Sequence, residues 1–229
     1  MLRRVFFLAL AAFGLAPALR AQNQQQFWPE VDTYVTLTDR ARLFFNDSLS
    51  SDQDTREVQG EFGVNFDYFV RPFLRPELRG DDPAKSKLLT LRVGYRYLPT
   101  LLGDGPYENR MVVEGTSRFK LPYAILLTDR NRFDLRWVEN KPYSWRYRNR
   151  LAFERNFSIR HYEFAPYVRG EIYYDSRYDK IAKNAFTVGS VFPINKRVET
   201  ELYYEDQRDS STTPNYHTRG IGLCLSLYF

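Results

Sequence analysis

His161, His217 and Cys224 are the residues of this chain best suited to nucleophilic or metal chemistry, and their spacing offers little of either. A hydrolase needs a nucleophile within reach of an activating base. His217 follows a stretch carrying Ser210, Ser211, Thr212 and Thr213, the one place where a serine–histidine pair could form. No His-x-Ser pair falls on a strand face, however, and His161 lies in an expected turn with no serine two residues on. A solvated histidine at the rim is the expected state of His217. One cysteine and two distant histidines make no metal-ligand set, and a lone cysteine excludes an intrachain disulfide. No catalytic, cofactor or metal residue is therefore expected.

The remaining candidates are charges. Trp145-Arg146-Tyr147-Arg148-Asn149-Arg150 interleaves bases with aromatics. On one surface such a run would stack bases and neutralise phosphates. An extended backbone instead sends alternate side chains to opposite faces, so the two kinds never meet. The net charge of +5 (33 Lys+Arg against 28 Asp+Glu) includes Arg3, Arg4 and Arg20, which lie in an expected leader. Without them 30 bases face 28 acids, and no nucleic-acid partner is expected.

The element that separates charge from aromatic is a strand, and alternation runs along the chain. Val58, Phe62, Val64, Phe66, Tyr68 and Val70 share one face; Glu57, Gln59, Glu61, Asn65 and Asp67 share the other. Leu91, Val93 and Tyr95 oppose Arg92 and Arg96, and Phe133, Leu135 and Trp137 oppose Arg132, Asp134 and Arg136. Strands are predicted over 27–37, 39–48, 56–70, 72–79, 88–98, 108–127, 131–139, 144–157, 163–174, 184–193, 197–207 and 217–229. Two prolines interrupt 72–79, and 108–127 is over-long. Leu37-Thr38-Asp39-Arg40 repeats as Leu127-Thr128-Asp129-Arg130; two turns on one side would break this parity. Asp175–Lys183 and Asp206–Asn215 read as longer, extracellular loops, and Pro193–Lys196 as a periplasmic turn.

The ends of the sequence suggest a location. Two arginines, an apolar run from Val5 to Leu15 and Pro17-Ala18-Leu19-Arg20-Ala21 read as a secretory signal cut before Gln22. That run is too short to cross a bilayer as a helix. Ile221, Leu223, Leu225, Leu227 and Phe229 alternate with Gly220, Gly222, Cys224 and Ser226. Alternate apolar residues ending in an aromatic resemble the signal read by the outer-membrane barrel assembly machinery, here Leu225, Leu227 and Phe229. Mean hydropathy is −0.52 while aromatics reach 17 %. A transmembrane barrel reconciles the two, because each strand turns only every second residue to lipid. Trp and Tyr at Phe27-Trp28, Tyr143, Trp145, Tyr173-Tyr174 and Tyr203-Tyr204 are expected to form interfacial girdles.

Trp28-Pro29-Glu30, Asp129-Arg130-Asn131-Arg132, Trp145 to Arg150, Pro166-Tyr167 with Glu171, and the terminal strand together resemble the domain of unknown function 2490 family of outer-membrane barrels. The resemblance spans essentially the whole chain after the leader. It implies fold and location and no activity.

The expected architecture is all-β: a signal peptide over 1–21, then one antiparallel transmembrane β-barrel over 22–229, of twelve strands within a range of ten to twelve. Its inner wall should carry acids and bases in equal number, with Arg40, Arg197, Glu57 and Glu163 among them. The central charge cluster is expected at Arg132, Arg136, Arg146, Arg148, Arg150, Glu154, Arg169, Glu171, Glu199 and Glu201. The functional expectation is a non-catalytic outer-membrane barrel with a mostly occluded lumen, in contact with outer-membrane lipid. A small porin-like channel, a barrel lipid hydrolase and a soluble periplasmic lipid-binding barrel are the alternatives.

Overall fold

Alternation of side chains becomes a wall here because each strand finds a partner on both edges. The computed structural model describes residues 23–51, 57–70, 83–160, 162–211 and 215–229. The expected signal peptide over 1–21 lies outside them. In chain order the strands are β1 (Asn23–Thr38), β2 (Ala41–Ser51), β3 (Val58–Val70), β4 (Leu89–Leu98), β5 (Thr100–Leu102), β6 (Glu108–Leu121) and β7 (Ile125–Val138). They continue as β8 (Ser144–Arg155), β9 (Phe157–Ile159), β10 (Tyr162–Asp175), β11 (Lys180–Asn195), β12 (Val198–Asp209) and β13 (Tyr216–Tyr228).

Eleven of these close into a barrel in the order β1-β2-β3-β4-β6-β7-β8-β10-β11-β12-β13 and back to β1. Short β5 and β9 stand outside that ring, against β3 and β10. Neighbours are antiparallel except at the closing seam, where β13 runs parallel to β1 from Asn23↔His217 to Tyr34↔Tyr228. The geometry demands one such pair, since an odd number of strands cannot alternate direction all the way round. Two backbone bonds extend the seam, from the Phe229 N–H to the Tyr34 carbonyl and from the Thr36 N–H to the Phe229 carbonyl, both 2.8 Å.

The wall thus has eleven strands where the sequence suggested twelve. The twelfth expectation, 72–79, falls outside the described residues, and β3 hydrogen-bonds directly to β4 from Phe62↔Tyr97 to Val70↔Leu89. The over-long 108–127 divides at Pro122–Ala124, where Tyr123 and Ala124 take positive φ and turn the chain from β6 into β7. The internal echo also resolves. Asp39-Arg40 is the turn between β1 and β2, whereas Asp129-Arg130 lies inside β7, so only one copy turns. Tight turns after β1 and β11 share the end that holds Phe229, and the connections after β10 and β12 share the opposite end. The two kinds of connection thus fall at opposite ends as expected, but the expected long loops are shorter, because β10 runs to Asp175 and β11 begins at Lys180, while β12 extends to Asp209.

Polarity is inverted relative to a soluble protein. Val64 is 53 % exposed on the outer face, while Asp67 on the inner face is fully buried. Eight of the other wall strands repeat the arrangement, with outward Leu91, Val113, Phe133, Leu151, Ile172, Val188, Leu202 and Leu223. Three residues of the expected girdle turn inward. Trp28, Tyr173 and Tyr203 line the interior, because their partners in each dipeptide hold the outward register. Glycines make room for them: a Cβ at Gly220 would sit 2.3 Å from the Trp28 ring, and one at Gly222 would overlap Tyr203. Tyr143, Trp145 and Tyr174 remain outside, Trp145 stacked on Tyr174 and Tyr143 against Trp137, all at the end opposite Phe229.

Candidate functional site

The interior is built from long charged side chains that register places side by side. Asp67 on β3 takes Arg42 of β2 at 2.8 Å and Arg92 of β4 at 2.6 Å, one from each neighbouring strand. Both guanidiniums also lie over aromatic rings, Arg42 over Tyr34 and Arg92 over Phe44, at 4.2 and 4.1 Å. Such contacts recover some of the hydration a buried cation loses. Higher in the barrel, Asp175 contacts Arg136 and Arg146 at 2.9 and 2.8 Å. Arg136 passes on to Glu108, Glu108 to Arg110, Arg110 to Glu61, and Glu61 to Arg96. A second string runs through Arg132, Asp134, Arg148, Glu171 and Arg130. Isolated charges in such a space would be very costly, and sharing each carboxylate between two arginines keeps the interior tenable.

The two signs are not evenly mixed. Arginines concentrate on β4, β6, β7 and β8, whereas β1 and β12 present Glu30, Asp32, Glu199, Glu201 and Glu205. Arg169 on β10 reaches the acidic side, 3.3 Å from Glu201 and 3.9 Å from Glu205. Tyr167 and Tyr228 donate hydroxyls to Glu201 and Glu199. Between the two walls lies a cavity of about 510 Å³ touched by all eleven strands. Lys85, from the connection between β3 and β4, enters it and binds Glu154 at 2.9 Å.

A family model described as "Protein of unknown function (DUF2490)" matches residues 25–218. The chain belongs to this family. No curated protein and no solved structure matches it.

All ten residues expected to form the charge cluster of this DUF2490 barrel face its interior. Arg132, Arg148, Arg150, Glu154, Arg169, Glu171, Glu199 and Glu201 line the cavity, and Arg136 and Arg146 meet at Asp175 above it. Four other assignments to the inner wall fail. Arg40 and Arg197 are exposed in the tight turns, Glu163 is exposed near the start of β10, and Glu57 precedes β3 beside Gly103. Sequence reasoning missed Glu108, Arg110, Asp175 and Lys85. The first two share parity with Glu114 on β6 and were legible. Asp175 falls one residue past the expected strand end, and Lys85 belongs to no strand.

The structure also brings together three side chains that the sequence reading did not consider as a group. Ligand atoms of Glu30, Asp32 and Cys224 lie within 4.8 Å of one another across the parallel seam. The register that places Glu30 opposite Cys224 cannot be read from residues nearly two hundred positions apart. His217, the one candidate base, has its Nε2 2.8 Å from both Asp206 carboxylate oxygens, and Ser210 donates its hydroxyl to the Ala182 carbonyl.

Proposed function

We propose that this DUF2490 chain is an outer-membrane β-barrel without a catalytic role, whose charged lumen is largely closed by ion pairs. The observation that carries the reading is the pairing of an apolar outer belt with an ionised interior on a closed wall. Such a surface is stable where lipid bathes the outside. Aromatic pairs at the rim, Trp145–Tyr174 and Trp137–Tyr143, suit the membrane–water interface. The signal peptide read over 1–21 would deliver the chain, and β13, through Leu225, Leu227 and Phe229, would engage the barrel assembly machinery. Outer-membrane lipid is then the main partner.

The soluble lipid-binding alternative fits poorly, because an apolar ligand would face a wall of arginines and carboxylates. The hydrolase alternative is less well supported, because among the described residues no serine hydroxyl bonds the His217 ring, and Ser210 donates its hydroxyl to the Ala182 carbonyl instead. A porin-like channel keeps one argument, the cavity of about 510 Å³ with opposite charges on opposing walls.

Membrane fractionation followed by a heat-modifiability gel tests the location. The protein should sediment with the outer membrane, resist carbonate or urea extraction, and migrate faster unboiled than boiled. Recovery in the soluble periplasmic fraction would overturn the reading.

A further inference from the structure

Arginine faces arginine across neighbouring strands at four places in the interior: Arg96–Arg110, Arg110–Arg136, Arg132–Arg148 and Arg130–Arg150. Like charges directly opposite on a sheet repel. Three of the pairs are bridged by a carboxylate that contacts both members. Glu61 joins Arg96 to Arg110, Glu108 joins Arg110 to Arg136, and Asp134 joins Arg132 to Arg148 at 2.5 and 3.8 Å. The fourth pair differs. Arg130 lies 2.7 Å from Glu171 and 4.0 Å from Glu114, yet Arg150, although its Cα pairs with that of Glu171, has no carboxylate within 4.0 Å among the described residues, so neither acid bridges the two arginines. Beside it the Arg130 Nε is buried and donates to nothing among those residues, and so is the Nη2 of Arg132, a residue only 2 % exposed. Arg130 and Arg150 both open onto the cavity.

We infer that Arg130 and Arg150 form a binding site for a small oxyanion, which takes the bridging place a carboxylate fills at the other three pairs. Guanidinium groups present paired N–H donors matched to the oxygens of a phosphoryl or carboxylate group. Both are oxyanions of that chemistry, carried by a solute small enough for a cavity of about 510 Å³. The acidic wall of β1 and β12 opposes the site, so a polyanion is disfavoured and a compact, singly anchored solute is preferred. The site needs only the closed barrel. It stands or falls independently of the membrane reading.

The test uses the purified full chain folded in detergent, titrated calorimetrically with inorganic phosphate or acetate against chloride at matched ionic strength and pH. Wild type should bind phosphate, acetate or both saturably, and the stronger of the two identifies the solute's anionic group. Arg150→Gln should weaken binding by roughly tenfold or more, the loss expected for a charged hydrogen-bonding partner. Arg208→Gln, on an exposed arginine outside the cavity, should leave it unchanged. Whichever of the two oxyanions binds should also protect Arg150 of the wild-type protein from phenylglyoxal, read by mass spectrometry, which keeps the proposal testable if Arg150→Gln does not fold. Absence of saturable binding with either oxyanion, binding indifferent to Arg150→Gln, or unprotected Arg150 would overturn it.

Discussion

Val64 and Ser48 show what a single position means in this wall. Val64 points outward from the middle of β3, and Ser48 on β2 points into the cavity. Val64→Arg should cost on the order of 2–4 kcal/mol if the belt meets lipid near the bilayer midplane. Ser48→Arg adds the same charge where carboxylates and water can receive it, and should cost far less. Urea titration of the barrel refolded into lipid vesicles measures both. Equal losses would mean that lipid does not face Val64. Parity alone does not mark a tolerant inner site, as Asn65 shows. It is 1 % exposed and donates to the Phe44 carbonyl and the Asn46 side chain. Its neighbour Gly94 has no room for a Cβ beside it. An arginine there has nowhere to go, so inward position and available space are separate properties.

At the scale of the element, β13 does two things at once. It completes the wall by pairing with β12 and, in parallel, with β1, and it carries the proposed assembly signal. Phe229 is well exposed and only its backbone ties it to β1, through Tyr34 and Thr36. Phe229→Asp therefore removes little packing but changes the residue the assembly machinery would read. We expect sharply lowered outer-membrane levels with periplasmic degradation, measured by immunoblot of fractionated cells, while the purified variant still refolds in detergent. Normal membrane levels would remove the assembly role from Phe229. The strands themselves were legible, since nine of the predicted segments coincide with wall strands to within four residues, and only the boundary between β6 and β7 was misplaced, by six. Period-two alternation is a local property that survives without knowledge of the partner. Their number was not, because 72–79 alternates weakly between prolines and local pattern cannot show that β3 and β4 pair directly.

For the molecule as a whole, the question is whether solutes pass. Long arginine and glutamate side chains cross much of an eleven-stranded interior, and shared carboxylates hold most of the arginines in place. Interiors of eight-stranded barrels are filled by side chains, and sixteen-stranded porins leave a channel, so this wall lies nearer the closed limit. Planar-bilayer recording should give small conductance with weak ion selectivity, because both signs line the path. A large steady current would favour the porin-like reading, with the field between the arginine and carboxylate walls as its selectivity device.

By itself the sequence determined which faces are charged and which apolar, because that depends only on alternation along an extended backbone. From this followed the all-β class and the inward direction of the ten clustered charges, while the family was legible through the resemblance of short motifs such as Trp28-Pro29-Glu30 and Trp145 to Arg150. Tertiary structure decided everything that depends on which strand lies beside which. It set the odd count and the parallel seam, and it brought Glu30 and Asp32 to Cys224. It also paired arginine with arginine across β7 and β8. Register is a long-range property, fixed by closure of the whole ring, and no short stretch of residues encodes it.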